Sequence, residues 1–110
     1  MIPLCALDEL PEGTSRGFQL GALKLLVVKH QHKPFVYHNQ CPHLGIPLEW
    51  EKDQFLDPSG SMIQCANHGA LFVIDTGLCV AGPCSGRKLQ PVPCFVNGNQ
   101  LLIESKFTPT

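Results

Sequence analysis

The sequence lacks any long apolar run and carries little charge of either sign. Of its 110 residues, 15% are charged and the formal net charge is −1, which gives no reason to expect nucleic acid or an anionic membrane as a partner. The apolar segment 22–28 is interrupted by Lys24 and has the length of a strand, not of a membrane span. The amino terminus shows neither the basic and apolar regions of a signal peptide nor a twin-arginine pair. These absences predict a cytoplasmic protein without a membrane or nucleic-acid partner.

Helical patterning is also missing, since no window combines a helical hydrophobic period with caps at both ends. Short segments rich in Val, Leu, Ile or aromatic residues instead alternate with turn residues, which is typical of an all-β sandwich or barrel. Asn97-Gly98 predicts a hairpin between the last two segments, and Asp57-Pro58-Ser59-Gly60 has the residues of a type I turn. The length fits a single domain. The predicted strands cover 3–10, 15–20, 23–30, 34–37, 61–64, 93–96 and 100–104.

Two of the six cysteines lie beside histidines. Cys41 and His43 form a C-x-H pair, and Cys65 and His68 form a C-x2-H pair, with 21 residues between His43 and Cys65. Each pair places a thiol and an imidazole on one short loop, and together they offer four ligands to a soft or borderline metal centre. A secreted disulfide scaffold is disfavoured because export signals are missing. The remaining cysteines are interpreted as small buried or loop thiols: Cys5, Cys79, Cys84 and Cys94.

These pairs resemble the ligand motifs of the Rieske [2Fe–2S] family, in which two cysteines hold one iron and two histidines hold the other. The resemblance includes a glycine close behind each pair and continues through Ala70-Leu71-Phe72, Thr76-Gly77 and Gly82-Pro83 to a terminal strand pair. It implies a Rieske-type antiparallel β sandwich or barrel, all-β in class, over residues 1–110. A cluster-binding subdomain is expected as an insertion at about residues 38 to 86.

The resemblance also implies the cofactor and its surroundings. One [2Fe–2S] cluster is expected, with Cys41 and Cys65 on one iron and His43 and His68 on the other. The residues expected to line the cluster are Leu44, Gly45, Asn67, Gly69, Ala70, Gly82 and Pro83.

The resemblance further implies a reduction potential at the low end of the Rieske range. High-potential members carry an extra cysteine in each ligand loop, joined as a disulfide, and the matching positions here are Ile46 and Asn67. Those members also donate hydroxyl hydrogen bonds to the cluster from positions that match Ala70 and Phe72. Fewer such hydrogen bonds leave the reduced, more negative cluster less stabilised.

The function implied is that of an electron carrier, not of an enzyme. Its expected partners are a flavoprotein reductase and a terminal oxygenase or other reductase, and the isolated chain is expected to be a monomer. Oxygenase catalytic subunits need a second domain with a two-His, one-carboxylate iron site, for which 110 residues leave no room. The alternatives are a small Rieske subunit of a fixed oxidoreductase complex and a structural zinc domain. Zinc fingers, however, usually pair cysteine with cysteine and histidine with histidine.

Other polar residues have plainer interpretations. His30, His32 and His38 flank a turn and are predicted to be solvated surface. The acidic residues between the ligand pairs are predicted to form a solvated loop, with a partner-specific docking loop as the alternative hypothesis. Those residues are Glu49, Glu51, Asp53 and Asp57.

Overall fold

Short strands account for most of the chain that the structure describes. The structure is a computed structural model, and it describes residues 2–20, 23–40, 53–65, 69–82 and 85–104. One turn of 3-10 helix, Leu7–Glu9, lies within these ranges, and no helix there has the length and hydropathy needed to cross a membrane. The strands in the same ranges are β1 (Ile2–Ala6), β2 (Ser15–Leu20), β3 (Leu23–His30), β4 (Lys33–His38), β5 (Met62–Gln64), β6 (Leu71–Val73), β7 (Cys79–Ala81), β8 (Cys94–Asn97) and β9 (Gln100–Ile103).

The strands form three antiparallel sheets of three strands each, with the orders β1-β9-β8, β2-β3-β4 and β5-β6-β7. The predicted all-β fold is therefore confirmed. The β2-β3-β4 sheet consists of two successive hairpins, in which β3 pairs with β2 from Leu20↔Leu23 to Ser15↔Val28. Its central strand, β3, is an uninterrupted apolar run at Leu25–Val28, and all four of these residues are buried.

Strand β3 is buried on both faces because the sheet lies between two cores. Successive side chains of a strand point to opposite faces, and Leu26 and Val28 belong to one cluster while Leu25 and Val27 belong to the other. The first cluster includes the side chains of the β5-β6-β7 sheet, and the second includes those of the β1-β9-β8 sheet. A run buried on both faces does not alternate in polarity, which accounts for the sequence of β3.

The described residues add β6 and β7, which the sequence patterns do not predict, and correct the bounds of other strands. The first strand ends at Ala6, not at residue 10, because its partner β9 begins at Gln100, opposite Ala6, and the pairing closes with a hydrogen bond from the amide of Leu7 to the carbonyl of Asn99 at 2.6 Å. The chain instead forms the 3-10 turn, in which the amide of Leu10 donates to the carbonyl of Leu7 at 3.0 Å. The predicted terminal hairpin is present, but its pairing Asn97↔Gln100 makes Gly98-Asn99 the loop. Gly98 has φ +61°, and a positive φ at the first loop position only is the pattern of a type II′ turn.

Tyr37 connects the central sheet to the β5-β6-β7 sheet. The residue is 3% exposed, and its hydroxyl donates to the carbonyl of Ile74 at 2.6 Å. The ring lies so close to Gly77 that a Cβ at that glycine would approach it to 2.8 Å. Tyr37 also forms an isolated antiparallel bridge with Pro91. One side chain of β4 therefore fixes the turn between β6 and β7 and lies beside the segment that leads to β8.

Candidate metal centre

The β5–β6 hairpin positions Cys65 at the start of the second predicted ligand loop. The two strands pair from Met62↔Val73 to Gln64↔Leu71. The amide of Cys65 then donates to the carbonyl of Ala70 at 2.9 Å, so the ladder extends one step beyond the strands and closes the loop. Cys65 is fully buried within the same core as Phe72. A thiol in this place can ligate a metal ion at a site from which the hydrophobic surroundings exclude water.

A third loop packs against this ligand loop at Gly82, directly after β7. Gly82 has φ +99°, and a Cβ built on it would lie 2.8 Å from the Cα and 3.0 Å from the Cβ of Ala70. The backbone amide and the hydroxyl of Ser85 both donate to the carbonyl of Gly82, at 3.2 and 2.9 Å. A side chain at position 82 would therefore force apart the two loops that meet behind Cys65.

The chemistry of this region fits an iron–sulfur cluster. Ala70 and Phe72 are buried and have no hydrogen-bonding side-chain group, and Gly82 contributes only backbone. A thiolate is a soft donor that favours zinc, copper(I) or iron–sulfur centres over hard cations. Among the described residues, no group of three or more His, Cys, Asp or Glu side chains is arranged to hold a metal ion. The part of the site seen here is thus one thiol in an apolar surround.

The predicted site residues divide between the described ranges and the rest of the chain. Cys65, Ala70 and Gly82 are brought together, and Gly69 lies exposed in the loop between Cys65 and Ala70. The complete ligand set remains a prediction, because three of the four ligands lie outside the described residues. The predicted site residues that lie outside them are Cys41, His43, Leu44, Gly45, Asn67, His68 and Pro83.

The segment that precedes the first predicted ligand pair forms backbone hydrogen bonds to two other parts of the chain. The amide of His38 donates to the carbonyl of Gln90 and that of Asn39 to the carbonyl of Lys24, each at 2.9 Å. Of the histidines predicted to be solvated, His32 has a side chain that is 92% exposed. His38 is instead half-buried, and burial lowers the pKa of its imidazole, which favours the neutral form. The solvated interpretation is therefore confirmed for His32, whereas His30 and His38 are both half-buried.

Asp53 has a structural role that the predicted solvated loop did not include. Its carboxylate oxygen Oδ1 accepts a hydrogen bond from the amide of Gly17 at 2.8 Å, and its carbonyl accepts one from the hydroxyl of Ser15 at 2.7 Å. Its φ is +63°, a conformation that Asp and Asn tolerate better than most residues. The contact joins positions 36 and 38 residues apart, and no local pattern signals such a pairing.

The cysteines outside the predicted ligand pairs are consistent with structural thiols where they are described. Cys79 is buried, and its thiol donates to the carbonyl of Ala81 at 3.2 Å. Cys5 and Cys94 are half-buried, and burial raises the pKa of both thiols, with Glu9 adding to the effect at Cys5. A raised thiol pKa lowers the fraction of reactive thiolate. Cys84 lies outside the described residues.

Comparison with known proteins identifies one family, and it identifies relatives whose length is similar to that of this chain. Residues 1–96 match the family model of the Rieske [2Fe-2S] domain. The ferredoxin component of the alkene monooxygenase system of Xanthobacter autotrophicus is 30% identical over 110 residues, which covers 98% of this chain and 84% of the relative. The biphenyl dioxygenase ferredoxin subunit of a Pseudomonas species is 26% identical over 102 residues, covering 91% of this chain and 87% of the relative.

Solved structures show the same fold. The ferredoxin of Sphingomonas yanoikuyae B1 superimposes with a TM-score of 0.74 at 25% identity, and the match covers 94% of this chain and 97% of that protein. The three-sheet arrangement described above is thus shared along nearly the full length of both chains.

Proposed function

Because the chain belongs to the Rieske [2Fe–2S] domain family, we propose that it is an electron-transfer protein that carries single electrons from a flavoprotein reductase to a terminal oxygenase or other oxidoreductase. The observation that carries this proposal is the similarity, over most of both chains, to the ferredoxin component of an alkene monooxygenase system. That relative is a ferredoxin and not the oxygenase itself. We therefore propose a carrier that performs no substrate chemistry of its own.

The proposed ligands are Cys41 and Cys65 on one iron and His43 and His68 on the other. When bound, a cluster of this type accepts and releases one electron, and its imidazole ligands raise its potential above that of an all-cysteine cluster. Burial of Cys65 in an apolar cluster that includes Ala70 and Phe72 supports this assignment, because such surroundings keep water away from the thiol. The residues proposed to surround the cluster are Leu44, Gly45, Asn67, Gly69, Ala70, Gly82 and Pro83.

We also propose that the potential lies at the low end of the Rieske range. The side chains at positions 70 and 72 are those of Ala and Phe, both buried and without a hydroxyl. They cannot donate hydrogen bonds to cluster sulfur, so the additional negative charge of the reduced state is less stabilised. The proposal further includes a cluster-binding subdomain at about residues 38 to 86, a monomeric state in isolation, and a cytoplasmic location, which cell fractionation can test.

The decisive test is a visible and EPR spectrum of the purified protein before and after reduction with dithionite. We expect a red-brown protein whose reduced form gives a rhombic Rieske-type signal, and an electrochemical midpoint well below that of respiratory Rieske proteins. Cys65→Ser should abolish the signal. Cys94→Ser, which changes a half-buried thiol of the β1-β9-β8 sheet, serves as the control and should retain it. A colourless protein that binds zinc and cannot be reconstituted with iron and sulfide would disprove the function.

A further inference from the structure

An exposed apolar side chain lies on β7, at the edge of the β5-β6-β7 sheet. Val80 is 49% exposed, whereas its neighbour Cys79 is 2% exposed, as expected for successive residues of a strand. The chain then turns back beside β7, so that the amide of Gly86 donates to the carbonyl of Cys79 at 3.1 Å. The amide of Cys79 in turn donates to the carbonyl of Arg87 at 2.8 Å, so that Gly86 and Arg87 both lie opposite Cys79, as in a β-bulge.

Two cations accompany Val80 on the returning segment. Lys88 forms an isolated bridge with Leu78, and the carbonyl of Arg87 accepts a hydrogen bond from the amide of Cys79 at 2.8 Å. Lys88 therefore lies beside Leu78, and Arg87 lies opposite Cys79, the residue that precedes Val80. Both Arg87 and Lys88 are exposed. We name Val80, Arg87 and Lys88 the basic flank.

The basic flank lies in a part of the sequence that has no carboxylate. Residues 76 to 103 contain neither Asp nor Glu, and their only charged residues are Arg87 and Lys88. The nearest acidic residue along the chain is Asp75, in the turn between β6 and β7. Several carboxylates among the described residues lie elsewhere. Asp8, Glu9 and Glu12 lie between β1 and β2, and Asp53 and Asp57 lie in the segment that follows residue 52. Residues 76 to 103 therefore carry two positive charges and no negative one, in a chain whose net charge is −1.

We propose that the basic flank is a docking surface for an acidic patch on a redox partner protein, an inference that rests on the proposed electron-transfer function. Its position favours this role. Val80 precedes Gly82 by two residues, and Gly82 packs against Ala70, whose carbonyl closes the loop that begins at Cys65. A partner seated on Val80 would thus lie beside a proposed ligand loop.

The composition of the flank suits a transient complex. Apolar contact at Val80 supplies area that loses water on docking, and arginine is enriched at protein interfaces. Cations on the approach surface raise the association rate with an acidic partner, and they do so most at low ionic strength. The charges of Arg87 and Lys88 would repel a basic partner. The surface therefore selects its partner by charge sign.

The substitution Lys88→Glu tests the proposal. Its effect is measured with two redox proteins, one acidic and one basic. Reduction of the cluster by the hydroquinone form of an acidic flavodoxin, and oxidation of the reduced protein by the basic cytochrome c, are followed by stopped flow. The control is Lys33→Glu. It makes the same change in net charge at an exposed lysine that begins β4, on the far side of the Tyr37–Pro91 bridge from Lys88. Each variant is first required to show the wild-type EPR signal and melting temperature.

We expect Lys88→Glu to slow the reaction with flavodoxin about three- to tenfold at low salt and to leave the reaction with cytochrome c unchanged or faster. The dissociation constant for flavodoxin, measured by calorimetry on the oxidised protein, should rise by a similar factor. Both effects should disappear at high salt, and Lys33→Glu should change each value less than twofold. Equal effects of the two variants, or no effect of Lys88→Glu, would overturn the docking surface. If the wild-type protein itself gave no Rieske-type EPR signal, the proposed function would be overturned instead.

Discussion

Gly82 is the residue at which two loops of the candidate metal centre meet. Its positive φ would strain any other residue by about 1–2 kcal/mol, and a Cβ would also press against the backbone of Ala70. We predict that Gly82→Ala lowers the free energy of unfolding by about 2–4 kcal/mol, since overpacking adds to the backbone strain. Urea unfolding followed by circular dichroism measures this, and visible absorbance reports any loss of cluster.

Gly86 provides a control in the same connection. It also has a positive φ, +90°, but a Cβ there would meet no atom within 4 Å among the residues that the structure describes. Gly86→Ala should therefore show the backbone strain alone, about 1–2 kcal/mol. If the two variants were equally destabilised, the contact between Gly82 and Ala70 would have no energetic importance.

Tyr37 is the only tyrosine of the chain, so its titration can be observed without assignment. Burial, with a smaller contribution from Asp75, raises the pKa of Tyr37 to about 12 from its ordinary value of 10.0. We predict that a ¹³C label at its Cζ shows no titration in the folded protein at pH 10.5, whereas the chain unfolded in urea titrates near pH 10. A folded-state midpoint near 10 would contradict the burial of this hydroxyl.

The sign of the stability change follows from the same shift. Between pH 10 and pH 12 the unfolded chain loses the phenol proton while the folded protein retains it, so rising pH favours unfolding. The contribution of the protonated Tyr37 to the free energy of unfolding is complete below pH 10, and it declines by up to about 1.4 kcal/mol per pH unit above pH 10. In Tyr37→Phe, which has no phenol proton, this part of the decline should be missing.

At the scale of the elements, the sequence predicted the strands with strong local signals and missed those that depend on distant contacts. β2 and β3 occupy their predicted bounds, because the runs themselves and the turn residues around them determine both ends. The end of β1 could not be predicted, since it depends on where β9 begins, almost a hundred residues later. The hairpin at Asn97-Gly98 was predicted, but its loop lies one residue further along.

The same distinction holds for the candidate site. The Cys and His spacing identified the ligand pairs, and Cys65 lies at the end of a hairpin strand as that interpretation requires. What the spacing could not predict was the packing around the site. The approach of Gly82 to Ala70 and the hydrogen bond from Tyr37 to Ile74 join segments that have no pattern in common.

Asp53 anchors the segment that follows the first predicted ligand loop to strand β2. Its positive φ and its acceptor for the amide of Gly17 are both features that Asn can reproduce and Ala cannot. We predict that Asp53→Ala lowers the free energy of unfolding by about 2–3 kcal/mol, whereas Asp53→Asn lowers it by less than about 1 kcal/mol. Chemical denaturation of the two variants gives the comparison. Equal losses would show that the negative charge, and not the backbone conformation and hydrogen bond, stabilises this contact.

At the scale of the whole molecule, the two cores have different relations to the candidate site. Cys65 and Ala70 belong to the core between the β2-β3-β4 and β5-β6-β7 sheets. The other core lies between the β2-β3-β4 and β1-β9-β8 sheets and includes Leu101 and Ile103 of β9, but no residue of the described ligand loop. A cluster bound at Cys65 should therefore stabilise one side of the molecule more than the other.

Removal of the cluster provides the test of this asymmetry. Ligand binding stabilises the structure that forms the site, and regions of a protein can open with different free energies. We predict that amides of 62–82 exchange at least about tenfold faster after the cluster is removed by acid and chelator, whereas those of β8 and β9 change less than about threefold. Hydrogen exchange with mass spectrometry resolves these segments, and Cys65→Ser, prepared without cluster, provides an independent comparison. Uniform acceleration across all three sheets would mean that the fold opens as one unit and that the cluster stabilises both cores equally.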